Sequence, residues 1–301
     1  VGDIVSRISA DFDRYWNSNP VHPVARILGE VRAGGPIATV LTTFEKDPEF
    51  DKYRALLEAS DIVGSLAKGE MALEWTNAVL VSDDPVIGFG SVPYSDLFIT
   101  RLFDSVGPIK NRFDGVTPYF VPGKAGVKAF AALEKDGVSV RMLTNSLEAT
   151  NMLPVHAGYS KRREDLLRAG VGLFELRAQS GGASALGILR PLGSSGSHLH
   201  AKTFAVDGDR IFVGSFNFDP RSATLNTEMG LLIESTRMAE AMHDAFDDGL
   251  NDLAWRIELR DRQTVWISPF DETVTHIEPG STPAKRLALA VIGWLPVEWL
   301  L

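Results

Sequence analysis

Apolar residues recur along the chain at two spacings, one typical of helices and one typical of strands. Between Ile4 and Trp16 they recur every three or four residues, which predicts an amphipathic helix that ends at Asn17 to Pro20. Residues 21–70 predict a helical and irregular segment. The stretch 71–81 predicts a strand, because its apolar positions lead directly into the turn sequence Asp-Asp-Pro.

From Tyr94 onward the helical and strand patterns alternate. Helices are predicted over 95–106, 123–136, 154–169 and 237–250, and strands over 115–121, 138–144, 171–176, the stretch around His200, and 228–234. This alternation predicts an α/β layered fold with a mixed, mostly parallel sheet flanked by helices. The Gly/Ser-rich stretch 180–197 predicts a loop, and two hairpins are expected, one turning at Asp207-Gly208 and one over 254–268.

The C-terminal stretch 287–301 is apolar and follows two basic residues, Lys285 and Arg286. A helix of this kind either lies in the interface of a membrane or is buried as the last helix of the core. We expect the buried helix, because Pro296 and Glu298 interrupt the apolar pattern.

Composition and charge narrow the classes of function. The chain has 301 residues, of which 45% are hydrophobic and 23% charged, as in a soluble globular protein with room for one large domain or two. The net charge of −9 argues against nucleic acid as a partner, since binding to phosphates depends on many Lys and Arg contacts. The absence of cysteine excludes disulfides and a thiol nucleophile. No apolar run reaches the roughly 20 residues that span a bilayer, and the opening at Val1 without a signal-like segment suggests a piece of a longer or processed protein.

The stretch around His200 carries the strongest sign of chemistry. Residues i and i+2 of a strand point to one face, so His200 and Lys202 are expected to project together. This pair suits attack on a phosphate, with histidine as nucleophile or proton carrier and lysine holding the anionic oxygens. His198 would share that face as part of an H-x-H metal pair, but no carboxylate cluster at ligand spacing supports it. We therefore expect no metal and no other cofactor.

The spacing of this segment resembles the HxK motif of the phospholipase D superfamily, on the residues His200, Lys202, Asp207, Gly214, Ser215 and Asn217, with Glu228 following. Further segments resemble cardiolipin synthase-type members of that superfamily, and most of all their C-type branch: 117–123, 140–151, 155–176, 218–228 and 295–301. The resemblance implies a phospholipase D-like layered fold in which two pseudo-symmetric halves each supply one HxK motif. Only the second motif is present, so the first is expected upstream of Val1.

The resemblance also implies an organisation and a set of roles. Residues 1–20 would be the closing helix of a first half, 21–70 a connector, and 71–301 the second catalytic half with its apolar tail. A first-half histidine would attack the phospholipid phosphorus to give a phosphatidyl-histidine. His200 would act as general acid and base, Glu228 would orient and charge-tune it, and Lys202, Ser215 and Asn217 would bind phosphate oxygens. Asp207 and Gly214 would support the motif structurally.

Three more residues are expected near the substrate, where they either line the lipid headgroup or hold the structure: His156, Tyr159 and Arg221. The expected substrate is a phosphatidylglycerol-like phospholipid, and the expected place is the surface of a bacterial inner membrane. The partner that completes the site is either the upstream half of the same protein or a second copy of the chain. Two other functions compete: a homodimeric phosphodiesterase or nuclease that pairs two single motifs, and a non-enzymatic domain that lost its partner half. The intact motif argues against the latter.

Overall fold

The structure is a computed structural model that describes residues 2–28, 51, 54, 61–71, 73–87, 92–178, 199–250 and 253–295. The chain divides into two compact units. The smaller comprises residues 16–76 and contains the helices α2 (Val24–Leu28) and α3 (Asp61–Lys68). The larger comprises residues 1–15 and 77–301 and contains the helix α1 (Ile4–Trp16) up to Tyr15.

A ten-stranded sheet organises the described part of the larger unit. Its strands are β1 (Ala78–Ser82), β2 (Arg112–Val116), β3 (Ser139–Asn145), β4 (Gly172–Leu176), β5 (Thr203–Val206), β6 (Arg210–Gly214), β7 (Met229–Glu234), β8 (Ala254–Arg260), β9 (Gln263–Ile267) and β10 (Val274–Thr275). They lie in the order β1-β7-β6-β5-β2-β3-β4-β8-β9-β10, so β1 and β10 form the edges.

The sheet is mixed, as predicted, but the expectation that it is mostly parallel is wrong. Only β2–β3 and β3–β4 run parallel, and the other neighbouring pairs of the sheet are antiparallel. The parallel pairs are the ones joined by the helical crossovers that the sequence pattern anticipated. The other connections include two tight hairpins, β5–β6 and β8–β9, which can only produce antiparallel neighbours.

Helices cover both faces of this sheet. They are α4 (Phe98–Val106), α5 (Gly123–Lys135), α6 (Leu153–Arg168), α7 (Pro220–Thr224), α8 (Thr236–Asp244) and α9 (Pro283–Trp294). Alternate residues of β5 point to opposite faces. Phe204 packs in a cluster with residues of α4, α5 and α6, whereas Ala205 packs in a second cluster with α8. The layered α/β architecture is therefore confirmed.

Two predicted strands have different bounds in the structure. The strand predicted over 115–121 is β2, which ends at Val116, since Pro118 cannot donate to a ladder. The strand predicted over 71–81 is β1, which begins only at Ala78. Its partner β7 ends at Glu234, opposite Asn77, and Ser235 then caps helix α8, so the β1–β7 ladder ends there.

The C-terminal helix α9 is not the buried helix that the sequence favours. It packs along α6, yet none of its residues is buried. Leu287, Val291 and Trp294 are 68%, 54% and 87% exposed, and their spacing places them along one stripe of the helix. Pro296 and Glu298, on which the expectation of burial depended, lie outside the described residues.

Candidate active site

Most of the motif residues meet at one end of the sheet. Thr203, the first residue of β5, pairs with Val116, the last residue of β2. On the neighbouring strands, Gly214, the last residue of β6, pairs with Gly230, the second residue of β7. The segments that carry His200, Lys202, Ser215, Asn217 and Glu228 all adjoin this end of the sheet.

His200 and Lys202 lie in an extended segment that precedes β5, rather than inside the predicted strand. Burial alternates along this segment: Leu199 and Ala201 are buried, whereas His200 is exposed and Lys202 is partly exposed. The expectation that the two side chains share an open side agrees with this alternation. Lys202 Nζ donates a hydrogen bond to the carbonyl of His200 at 3.1 Å, which folds the ammonium back towards the histidine.

Asn145, at the end of β3, fixes the segment just before His200. Its Nδ2 donates to the Leu199 carbonyl at 3.2 Å, and its Oδ1 accepts from the Leu199 N–H at 3.0 Å. A side-chain amide that pairs with the N–H and the carbonyl of one residue takes the place of a partner strand at Leu199. No pattern near Asn145 in the sequence indicates this contact.

The charge of Lys202 governs the protonation of His200. That charge, together with partial burial, holds the pKa of His200 below its ordinary value of 6.5, so the imidazole is neutral at pH 7. Burial also lowers the pKa of Lys202, although the charges of Glu228 and Asp219 oppose this effect. The positive charge of Lys202, which Glu228 and Asp219 balance only in part, can attract an anion. The neutral imidazole of His200 can accept a proton.

Glu228 lies buried just before β7 and is held through both its side chain and its backbone. Its carboxylate accepts hydrogen bonds from Ser215 Oγ at 2.5 Å and from Asn226 Nδ2 at 3.2 Å. Burial raises the pKa of Glu228, and these hydrogen bonds partly counter the rise. Among the described residues the carboxylate forms no hydrogen bond to His200. Its negative charge instead raises the pKa of Lys202.

Asn217 and Asp219 lie in the loop after β6 and are both 8% exposed. Asn217 Oδ1 accepts from Thr117 Oγ1 at 3.3 Å, which leaves the amide Nδ2 to serve as a donor in the site. Asp219 caps helix α7 by accepting the Ser222 N–H at 2.7 Å. Asp219 was not singled out from the sequence, although an Asp-Pro pair ahead of a short helix is a recognisable cap.

The two structural residues of the motif support the hairpin at its opposite ends. Asp207, whose φ of 54° is in the left-handed region, accepts hydrogen bonds from the backbone N–H groups of Lys110, Asn111 and Arg112. Gly214 lies against Gly230, where an added Cβ would stand 2.5 Å from the Phe212 ring and 2.5 Å from the Met229 carbonyl oxygen. Any larger residue at this position would separate β6 from β7 and displace Glu228.

His156 and Tyr159 do not line an open surface, which favours the structural one of the two roles expected for them. Both are 2% exposed on α6. His156 Nε2 lies 2.7 Å from Glu278 Oε1, and the Arg163 guanidinium lies over the Tyr159 ring at 4.8 Å. Arg221 is exposed and donates to Asn226 Oδ1 at 3.0 Å. Because Asn226 in turn donates to Glu228, Arg221 is linked to that carboxylate through Asn226. His198 lies outside the described residues.

The segment that carries these side chains matches a known family. Residues 108–249 match the family described as cardiolipin synthase, PLD-like domain. The particular likeness is to the C-type cardiolipin synthases. The chain is 38% identical over 306 residues to cardiolipin synthase C of Escherichia coli (strain K12), an alignment that covers 100% of this chain and 64% of that protein.

Two further similarities were found. An uncharacterized protein of Helicobacter pylori (strain 26695) is 27% identical over 270 residues, covering 88% of this chain and 52% of that protein. The crystal structure of Nuc, a phospholipase D family member from Salmonella typhimurium, matches with a TM-score of 0.43 at 18% identity, over 60% of this chain and 99% of that one. The chain spans between about half and two thirds of the length of these curated relatives.

Proposed function

We propose that this chain supplies the second half of the active site of a cardiolipin synthase-like phosphatidyltransferase, acting on a phosphatidylglycerol-like phospholipid. The observation that carries the proposal is the neutral His200 beside Lys202 on one open segment, with Asn217 and Glu228 at the same end of the sheet. The 38% identity over the whole chain to a cardiolipin synthase supports the choice of substrate.

The reaction would proceed through a phosphohistidine. A histidine from the other half-site attacks phosphorus, an N–P bond forms, and the P–O bond to the leaving alcohol breaks. His200 gives its proton to that leaving oxygen as a general acid. In the second step it takes the proton of the incoming alcohol, whose oxygen attacks phosphorus and breaks the N–P bond.

The resting pKa of His200 fits the second step directly, because a neutral imidazole is needed to accept a proton. For the first step the imidazole must carry a proton. A phosphate anion bound to Lys202 would raise the pKa of His200, because its negative charge offsets the ammonium that lowers this pKa. The imidazole could then hold the proton. Lys202 and the Asn217 amide donate to the phosphoryl oxygens as charge accumulates on them.

A second histidine must come from outside the His200 segment. We propose the upstream half of the same protein as its source, with a second copy of this chain as the competing arrangement. Two measurements together distinguish these arrangements. Light scattering coupled to size-exclusion chromatography gives the oligomeric state, and phosphodiesterase and lipid-transfer assays give the activity. A monomer that gains lipid transfer only when joined to the proposed upstream half supports the half-site. A dimer that cleaves diesters by itself would replace it with the paired-motif phosphodiesterase.

The same assays test His200. In the active form His200→Ala should lose essentially all transfer, whereas His276→Ala should retain it because His276 is exposed in a loop after the core strands. Full transfer by His200→Ala would refute the assignment.

We further propose that α9 holds the protein at the surface of an anionic phospholipid bilayer, as expected for peripheral association with a bacterial inner membrane. The stripe of Leu287, Val291 and Trp294 is exposed, and the exposed cations Lys285 and Arg286 precede it. No helix in the described ranges is long and apolar enough to cross a membrane.

Co-sedimentation with phosphatidylglycerol vesicles tests this surface. Trp294→Ser should weaken binding several-fold, because an exposed indole inserts readily at the level of the headgroups. Trp75→Ser is the matched control, since Trp75 is also exposed, at 74% against 87% for Trp294. Equal loss in the two variants, or none in Trp294→Ser, would exclude α9 as the anchor.

A further inference from the structure

Asp83 follows the edge strand β1 and is buried, at 1% exposure. Its backbone and its carboxylate are bonded to three separate parts of the larger unit. We propose that Asp83 is a positioning residue, which ties the backbone of Glu228 to helix α1. This role rests on the proposed function only in so far as Glu228 takes part in that reaction.

Asp83 and Glu228 hold each other through two hydrogen bonds. The Asp83 N–H donates to the Glu228 carbonyl at 2.8 Å, and the Glu228 N–H donates to Asp83 Oδ2 at 2.9 Å. The first bond extends the β1–β7 ladder by one step beyond Ser82 and Met229. The second replaces a backbone acceptor by a side chain, so the position of the Glu228 backbone depends on the identity of residue 83.

The other carboxylate oxygen of Asp83 is committed to helix α4. Oδ1 accepts the Phe98 N–H at 2.8 Å, and Phe98 is fully buried in the main core. Two backbone N–H groups from distant segments thus converge on one carboxylate. An asparagine has the same shape but would present an NH₂ group to one of these donors, which leaves a buried N–H without an acceptor.

The carbonyl of Asp83 is held by helix α1. Arg14 Nη2 donates to it at 2.7 Å and the Tyr15 hydroxyl donates at 2.9 Å. Arg14 is itself anchored, because its guanidinium also bonds Asp11 Oδ1 at 2.7 Å and Ser82 Oγ at 2.8 Å. A continuous path of hydrogen bonds therefore leads from α1 through Asp83 to Glu228, and from Glu228 to Ser215.

The protonation of Asp83 can be followed without catalysis. Burial raises the pKa of Asp83, against the lowering effect of the two N–H donors and of nearby arginines. The charged and titratable groups that surround it are Asp11, Arg14 and Tyr15 of α1, Arg101 of α4, the adjoining Asp84, and Glu228 just before β7.

The first test is an amide titration of this chain by ¹H–¹⁵N NMR. The amide proton of Phe98 should move as pH falls, with a midpoint above the ordinary value for aspartate, and the amide proton of Glu228 should show the same movement in addition to that caused by its own carboxyl group. The movement of Phe98 and the shared part of the movement of Glu228 should vanish in Asp83→Asn. Asp84→Asn is the matched control, since that neighbour is 49% exposed and should leave both titrations in place. A Phe98 titration that survives in Asp83→Asn, or a Glu228 amide titration that is the same in Asp83→Asn as in the parent, would disprove the link.

The second test is kinetic and uses the form of the protein that transfers lipid. Asp83→Asn should lower kcat roughly 10- to 100-fold, because a displacement of about 1 Å in a positioned group costs this much. KM should change little, and Asp84→Asn should keep the parental kcat. Tyr15→Phe removes the hydroxyl that donates to the Asp83 carbonyl and should lower kcat by a smaller factor. This variant serves as the test if Asp83→Asn does not fold.

Unchanged kcat in a folded Asp83→Asn protein, or in Tyr15→Phe if only that variant folds, would overturn the positioning role. Absence of transfer in every form, with the amide titrations as expected, would instead count against the proposed function. The two failures are thus distinguishable.

Discussion

The Ser215 hydroxyl holds the Glu228 carboxylate, donating to Oε2 at 2.5 Å while it accepts the Met229 N–H at 3.0 Å. The resemblance assigned Ser215 to phosphate binding. In the structure its hydroxyl donates to Glu228 Oε2 and also lies 3.3 Å from the Met229 carbonyl oxygen, and we propose that it supports the Glu228 carboxylate. At this end of the sheet Ser215 is exposed and Lys202 partly exposed, whereas Asn217 and Glu228 are buried.

Removing the Ser215 hydroxyl should make Glu228 harder to ionise. Burial raises the Glu228 pKa and the Ser215 hydrogen bond lowers it, so Ser215→Ala should raise the pKa further. The ¹³C resonance of the Glu228 carboxyl group, followed against pH, measures this directly. Ser215→Thr keeps a hydroxyl and should restore much of the parental midpoint. An unaltered midpoint in Ser215→Ala would show that the contact does not influence ionisation.

The pKa of His200 should respond to the charge at position 202. Lys202 is the largest cause of its depression, so Lys202→Met should raise the pKa of His200 while keeping a side chain of similar length. Imidazole ¹H–¹³C resonances followed against pH report the change. Lys124→Met, which removes an exposed lysine on α5, is the control and should have no effect. If both variants behaved alike, proximity of Lys202 to His200 would not be the cause.

Glu278 should stabilise the fold in a manner that depends on pH. Burial would raise its pKa, but contacts with His156 and Arg163 prevail and lower it from 4.5 to about 2. Its contribution is therefore complete above about pH 4.5 and is lost as the pH falls through about 2. Glu278→Gln should cost about 1.5–3 kcal/mol of unfolding free energy at pH 7, and the difference from the parent should shrink towards pH 2.

Urea unfolding at several pH values measures the Glu278 effect. Glu272→Gln serves as the control, because Glu272 is 73% exposed and its removal should change little at any pH. A pH-independent difference between the parent and Glu278→Gln would mean that packing, rather than charge, accounts for the loss.

Asp207→Ala should destabilise the hairpin without altering the chemistry at the other end of β5. Three backbone N–H groups lose their acceptor, and alanine resists the left-handed backbone at this position. A loss of about 2–4 kcal/mol is expected in denaturant unfolding. Asp209→Ala is the neighbouring control, since Asp209 is 61% exposed in the same turn. Equal losses in the two variants would contradict this account.

Sequence patterns predict what is local in this protein. The helix 4–16, the β8–β9 hairpin and the Asp207 turn follow from short-range spacing and turn chemistry, and each is present. The placement of His200 and Lys202 on one side of an extended segment also follows from spacing, even though that segment is not part of β5. Local rules succeed here because they need no knowledge of the partner strand.

Contacts between distant segments could not be predicted in the same way. Asp83 binds Glu228 across 145 positions and Asn145 binds Leu199 across 54, and neither residue belongs to a periodic pattern. The burial of His156 beside Glu278 likewise depends on the path of the chain after β9, where residue spacing carries no signal. The exposure of α9 depends on which of its faces meets α6, and an apolar sequence does not specify that.

The position of β7 between β6 and β1 has a consequence for how the protein folds. β6 pairs with β7 through a short connection, whereas β1 reaches β7 only after about 150 intervening residues. Pairing across such a distance pays a larger loop-closure entropy and tends to come late in folding. The middle of the sheet is thus expected to assemble before its β1 edge. The contacts of Glu228 with Asp83 would therefore form last. In chains that have not finished folding, the Glu228 carboxylate would not yet be positioned for the reaction.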